Sequence, residues 1–126
     1  MEVGSAGSAE GASGPRLSTA TSFYARVIVD SDGEVLGSIS DLILDLERGC
    51  VAYAVLSTGG FMGMGERMFA VPWRALRPAG QKFALDCKRA ELETAPAFDR
   101  DHWQQAPAYW WHERVHAHYH SRPYWK

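Results

Sequence analysis

The sequence predicts a mainly β fold, a small antiparallel β-barrel with one or two short C-terminal helices. Three observations lead there. Between residues 23 and 87 the chain alternates short β-prone runs with turn signals, a spacing typical of sandwiches and small barrels. The turns carry the residues that tight connections need, Asp32-Gly33, Gly49 and Pro78 to Gly80. One run, CVAYAVLS (50–57), is apolar on both faces, Val51, Tyr53 and Val55 against Ala52, Ala54 and Leu56, as a central covered strand should be. Closing so small a sheet into a barrel would also remove its exposed edges.

Taken in order, residues 1–20 are rich in Gly, Ser and Ala and nearly free of large apolar side chains. Such a segment buries too little surface to offset its ordering entropy, so a disordered arm is expected. The folded domain is expected over residues 21–105 and a separate tail over 106–126. FYARVIV (23–29) reads as a strand, DSDGE (30–34) as a turn and VLGSIS (35–40) as the returning strand. DLILDL (41–46) and CVAYAVLS (50–57) flank a short loop whose Gly49 suits a left-handed position. RMFAVP (67–72) is a strand stopped by Pro72, followed by the single turn WRAL, and KFALDC (82–87) is the last strand. The small alanines of 50–57 mark the face on which something packs closely. KRAELETA (88–95) reads as a short helix ended by Pro96, and FDRDHWQQ (98–105) as a helical turn with Asp99 at its N-cap.

The chain has 126 residues, the usual size of one domain, and can bury a core without metal or disulfides. A net charge of −2 disfavours a general nucleic-acid binder, which would normally be basic. Two cysteines, Cys50 and Cys87, make neither a disulfide framework nor a zinc knuckle. Both read as buried small hydrophobes. No run reaches the roughly 18 apolar residues of a membrane span. The N-terminus lacks the basic and apolar regions of a secretory signal. A cytoplasmic protein is therefore the expectation.

STGGFMGMGERM (57–68) holds Gly59, Gly60, Gly63 and Gly65. Dense glycines often cradle a phosphate. Here Glu66-Arg67 stand where a P-loop needs Lys and Ser or Thr, and Met68 stands at the third glycine of a dinucleotide fingerprint. A strand pattern follows, where both motifs require a helix. The loop is better read as a strand connection whose tip, Phe61, Met62 and Met64, either folds over the barrel end or faces a partner.

The tail holds three of the five tryptophans, three of the five tyrosines and four of the five histidines. His112-Glu113-Arg114-Val115-His116 spells H-E-x-x-H, which on a helix would set His112 and His116 on one face for zinc, with Glu113 activating water. His118 and His120 could add a ligand. Only ten residues follow the motif, too few to build a cleft behind it, and 116, 118 and 120 have the spacing of a strand face. The favoured reading is a partner-binding segment, in which Trp and Tyr offer an apolar body with a polar tip. Metal binding through His112, His116, His118 and His120 is the alternative. Asp30, Asp32, Glu34, Asp41 and Asp45 fit no calcium loop, since Gly33 comes too early. Turn chemistry for Asp32 and solvated strand edges for the others explain them. No serine or cysteine has a base beside it in sequence, so no enzyme and no cofactor are expected.

The stretch VIVDSDGEVLGSISDLILDLERGCVAYAVLSTGGFMGMGERMFAVPWRAL resembles the PRC-barrel family. The matching features are Asp30 with DGE and Gly37, the D-x-x-x-D of Asp41 and Asp45, the glycine-bearing strand connection, the VPW of Val71, Pro72 and Trp73, and APAFDRDHW at 95–103. That family includes the cytoplasmic part of the photosynthetic reaction-centre H subunit and the C-terminal domain of a ribosome-maturation factor. The resemblance is strongest to stand-alone bacterial members and ends before the tail. It implies a PRC-type β-barrel used as a non-enzymatic assembly or adaptor module. The reading is a protein-interaction module that self-associates as a homo-oligomer. Its candidate contacts are Phe61, Met62, Met64, Trp73, Trp110 and Trp111. Peripheral contact with a membrane protein is implied by the reaction-centre relative, and a ribosome- or RNA-associated assembly role by the other.

Overall fold

The structure of the protein, a computed structural model, describes residues 14–59, 67–97 and 109–125, for 109 and 110 the backbone alone. Phe61, Met62, Met64, the Trp110 side chain and the helical turn expected after Asp99 lie outside the described residues. A 3-10 turn, Ala20–Phe23, leads into β1 (Val27–Val29). Then follow β2 (Val35–Asp45), β3 (Cys50–Thr58) and β4 (Arg67–Pro72). The 3-10 turn Trp73–Ala75 leads to β5 (Leu76–Ala79) and β6 (Lys82–Leu85). Two helices close the described chain, α1 (Arg89–Leu92) and α2 (Tyr109–His118).

The fold is mainly β, as expected, with one six-stranded sheet in the order β4-β3-β2-β1-β6-β5. Among the described residues β4 and β5 are edges and no pairing joins them, so the sheet is open where a closed barrel was expected. It is not wholly antiparallel either, because β1 and β6 pair in parallel, Ile28 opposite Phe83. The parallel pair arises because β1 takes its hairpin partner β2 on one side, while β6 enters the other side from its own hairpin with β5.

Two runs read as separate strands, 35–40 and 41–46, are one 11-residue strand. Register shifts at Ile39/Asp41 and Ile43/Leu44 bend it, so its first part pairs with β1 and its later part with β3. Gly37 sits at the tightest point of that path. A Cβ there would lie 2.3 Å from the Ser57 carbonyl oxygen and 2.8 Å from a Leu56 methyl carbon. The β1–β2 turn needs Gly33 at φ 88°, and the β2–β3 turn needs Gly49 at φ 67°. Strand β5 falls in the stretch read as two turns. Its Pro78 is tolerated because β5 is an edge strand.

The core is built on β3, buried on both faces from Ala52 to Ser57 as the sequence implied. Ile28, Leu36, Ile39, Phe69, Val71 and Leu85 surround it. The tail joins this core, because Val115 and Tyr119 are buried within the same cluster. Tyr53, on the opposite face of β3 from the alanines, carries the ring contacts to α2. The alanine face is thus not the one that receives the helix.

Of the two cysteines expected to be buried, one is and the other is not. Cys87 is buried and its thiol is pushed up to about 11 by that burial, whereas Cys50 is exposed. Cys50 begins β3 opposite Asp45, at the turn end of the hairpin.

Candidate functional site

The site with the most side-chain chemistry lies where α2 and the segment after it dock on β3 and the Trp73–Ala75 turn. His112 and His116 share one helix face, as the four-residue spacing predicts. That face is turned onto the sheet. Tyr53 stacks on His112 at 5.8 Å between ring centroids and meets His116 at 5.4 Å and Trp111 at 6.0 Å. The Tyr53 hydroxyl and His112 Nδ1 share a hydrogen bond of 2.7 Å. His116 is 2% exposed, and its Nδ1–H donates to the His112 carbonyl oxygen at 2.8 Å. Burial lowers the pKa of both histidines, and the neighbouring His116 lowers His112 further. Burial also raises the Tyr53 hydroxyl far above its ordinary value. All three groups are therefore neutral near pH 7.

The other two tail histidines act elsewhere. His118 Nε2 donates to the Glu91 carbonyl oxygen of α1 at 3.0 Å. His120 ends the helix in a left-handed conformation, φ 55°. Around it Ser121 N–H donates to the His116 carbonyl oxygen and His120 N–H to that of Ala117, the hydrogen-bond pattern of a Schellman cap. The four histidines thus point to different structural tasks. Among the described residues no group of three or more His, Cys, Asp or Glu is placed to hold a metal ion.

After the cap the chain returns to the β2–β3 hairpin. Tyr124 donates its O–H to Asp45 Oδ2 at 2.6 Å. That bond, together with Arg48, holds the Asp45 carboxyl below its ordinary value, while burial and Asp45 raise Tyr124. Asp45 Oδ1 also accepts from the Glu47 and Arg48 backbone N–H groups. Trp125 then packs at 5.0 Å from both Tyr124 and His116. Asp30 does for the first hairpin what Asp45 does for the second. It is buried rather than at a solvated edge, and its Oδ1 accepts from the Asp32 and Glu34 backbone N–H groups. These bonds, that from Glu34 first, lower its pKa. The turn chemistry expected of Asp32 therefore belongs to Asp30, while Asp32 pairs with Lys88.

Docking leaves a cleft of about 220 Å³ lined by Cys50, Val51, Ala52, Trp73, Arg74, His116, Arg122 and Tyr124. Of the expected contact residues, Trp73 lines this cleft and also packs edge-on against Phe23 at 5.5 Å. Trp111 is half-buried against Tyr53. Sequence reading did not find Tyr53, Arg74, Arg122 or Tyr124. Their pattern signals only strand, turn and tail, and distant segments bring them together.

No curated protein matches the chain. One similar solved structure is described as a 16S ribosomal RNA processing protein, RimM, of Pseudomonas aeruginosa, at 14% identity and a TM-score of 0.39. The match covers 58% of this chain and 45% of that one. Among the described residues no helix is long and apolar enough to cross a membrane. The model of the PRC-barrel domain matches residues 17–88, from the segment before β1 to the start of α1. That span is more than half of the chain, and it contains every strand of the sheet and the Gly37 contact between β2 and β3. The chain belongs to the PRC-barrel domain family.

Proposed function

We propose that this chain is a non-enzymatic protein-interaction module that serves assembly and associates with itself. One arrangement of apolar side chains supports this reading most. On the β2–β3 hairpin Leu44 is 55% and Leu46 87% exposed, and between them Asp45 holds Tyr124. That bond brings Trp125, half-buried, to the same end of the sheet. Scattered exposed leucines are ordinary, but two so exposed within three residues of one hairpin offer apolar surface for a partner to cover. Family membership supports the same reading, because the resemblance implies an assembly or adaptor use. The proposal includes the loop tip, Phe61, Met62 and Met64, together with Trp110 and Trp111, as further contacts. It includes closure of the sheet into a PRC-type barrel and a cytoplasmic place of work.

Light scattering across a concentration series tests the reading. The expected result is a mass that rises with concentration and falls back to that of one chain in a Leu44→Asn/Leu46→Asn variant. A single-chain mass at every concentration, or association unchanged in that variant, contradicts it.

A further inference from the structure

The cleft beside α2 has a chemistry that self-association leaves unused. Two arginines from separate parts of the chain converge on it, Arg74 from the turn after β4 and Arg122 from the segment after α2. Neither forms a salt bridge with another described residue. Among the described residues no carboxylate lines the cleft. Asp45, the acid behind Tyr124, is already engaged by the Tyr124 hydroxyl, Arg48 and two backbone N–H groups. The remaining wall is apolar and aromatic, Val51, Ala52, Trp73 and the Tyr124 ring. His116, buried within the fold and held by its own helix, closes one side.

Size narrows the occupant. A volume of 220 Å³ lies below the roughly 300–1,000 Å³ of sites for drug-sized ligands. It equals the liquid volume of about seven waters, enough for one ring with a small substituent. Guanidinium groups present planar forks of donors that match a carboxylate or a phosphate. Aromatic and aliphatic walls favour a flat apolar body.

We propose that this cleft binds a small one-ring anion, its carboxylate or phosphate held by Arg74 and Arg122 and its ring against Trp73, Val51 and Ala52. Such a ligand would bridge the turn after β4 and the C-terminal segment, so it would also fasten the tail to the sheet. The site is independent of the self-association proposed above, since Leu44 and Leu46 do not line it.

The full chain is titrated with benzoate, phenyl phosphate, inorganic phosphate and neutral benzamide. The Trp73 indole resonance and calorimetry follow the binding. Saturable binding of benzoate or phenyl phosphate is expected, the tighter of the two showing whether carboxylate or phosphate is preferred. Benzamide and inorganic phosphate should bind at least about tenfold more weakly, each lacking one half of the recognition. Arg74→Ala and Arg122→Ala, both at exposed positions, should each weaken the anion about tenfold with the melting temperature unchanged. Arg74→Lys, which keeps the charge but loses the fork, should weaken it less. The proposal is overturned if neither aromatic anion saturates, if benzamide or inorganic phosphate binds as tightly, or if both alanine variants bind as the natural chain does.

Discussion

The centre of β3 and the docking surface of α2 are both buried, yet they are built from different chemistry. From Ala52 to Leu56 the strand buries apolar side chains and one tyrosine, and its backbone groups are paired with β2 and β4. The helix side buries Val115 and Tyr119 but adds His116 and shares the hydrogen bonds Tyr53–His112, Tyr124–Asp45 and His118–Glu91. Apolar burial in the sheet is indifferent to protons. The docked tail ties burial to the protonation of two imidazoles. The sheet should therefore respond to volume, and the tail to volume and to pH.

The sharpest test of the sheet side is Gly37→Ala. The added carbon would meet backbone at 2.3 Å, where no side chain can move aside. Urea unfolding should show a loss of about 3 kcal/mol or more. A loss under about 1 kcal/mol would mean that β2 and β3 separate easily there. On the tail side, Val115 is fully buried in the shared core. Val115→Ala should cost about 2 kcal/mol in the same experiment, and a neutral result would remove α2 from the core.

The pH response separates the two regions. His112 and His116 have pKa values lowered in the folded chain. Above the ordinary value near 6.5 both states are neutral and the histidines contribute nothing. Below it the unfolded chain takes up protons first, so stability falls as pH drops, until the folded values are reached. Asp30 and Asp45, lowered in the folded state, act in another window. Their stabilisation is present above about pH 4 and is lost as pH falls through their folded values. Urea midpoints should thus fall between pH 7 and pH 5, and His116→Gln should flatten that slope. An equal slope in the variant would place the titration elsewhere. The smallest effect is expected at the helix cap. His120→Gly relieves a left-handed residue at φ 55° and should stabilise by roughly 0.5–1 kcal/mol. A destabilised variant would show that the imidazole does more than end the helix.

The sheet was largely legible in the sequence. β3 was visible from its two apolar faces, the hairpins from Asp32-Gly33 and Gly49, and the helix start from the run after Cys87. Strand β5 was not, because Pro78 and Gly80 signal turns, and only pairing with β6 makes Leu76–Ala79 a strand. The continuity of β2 was hidden by bulges, which carry no local composition signal. Barrel closure was an extrapolation from strand spacing, and spacing does not specify which edges meet. In the tail, histidines and aromatics suggested metal or partner binding, and nothing in their local pattern showed that His112 and His116 face the sheet. What buries them is Tyr53, a residue 59 positions earlier than His112. A cleft formed by residues 50–52, 73–74, 116, 122 and 124 has no linear motif at all.

The central claim is that the C-terminal segment belongs to the same folded unit as the sheet and builds one wall of the cleft. Amide hydrogen exchange on the full chain at pH 7 tests it most directly. The account predicts that the amides of 113–118 in α2 are protected alongside those of β3, and that Val115→Ala lowers protection in both. Exchange of the α2 amides at the rate of an unfolded chain, with β3 still protected, would contradict it.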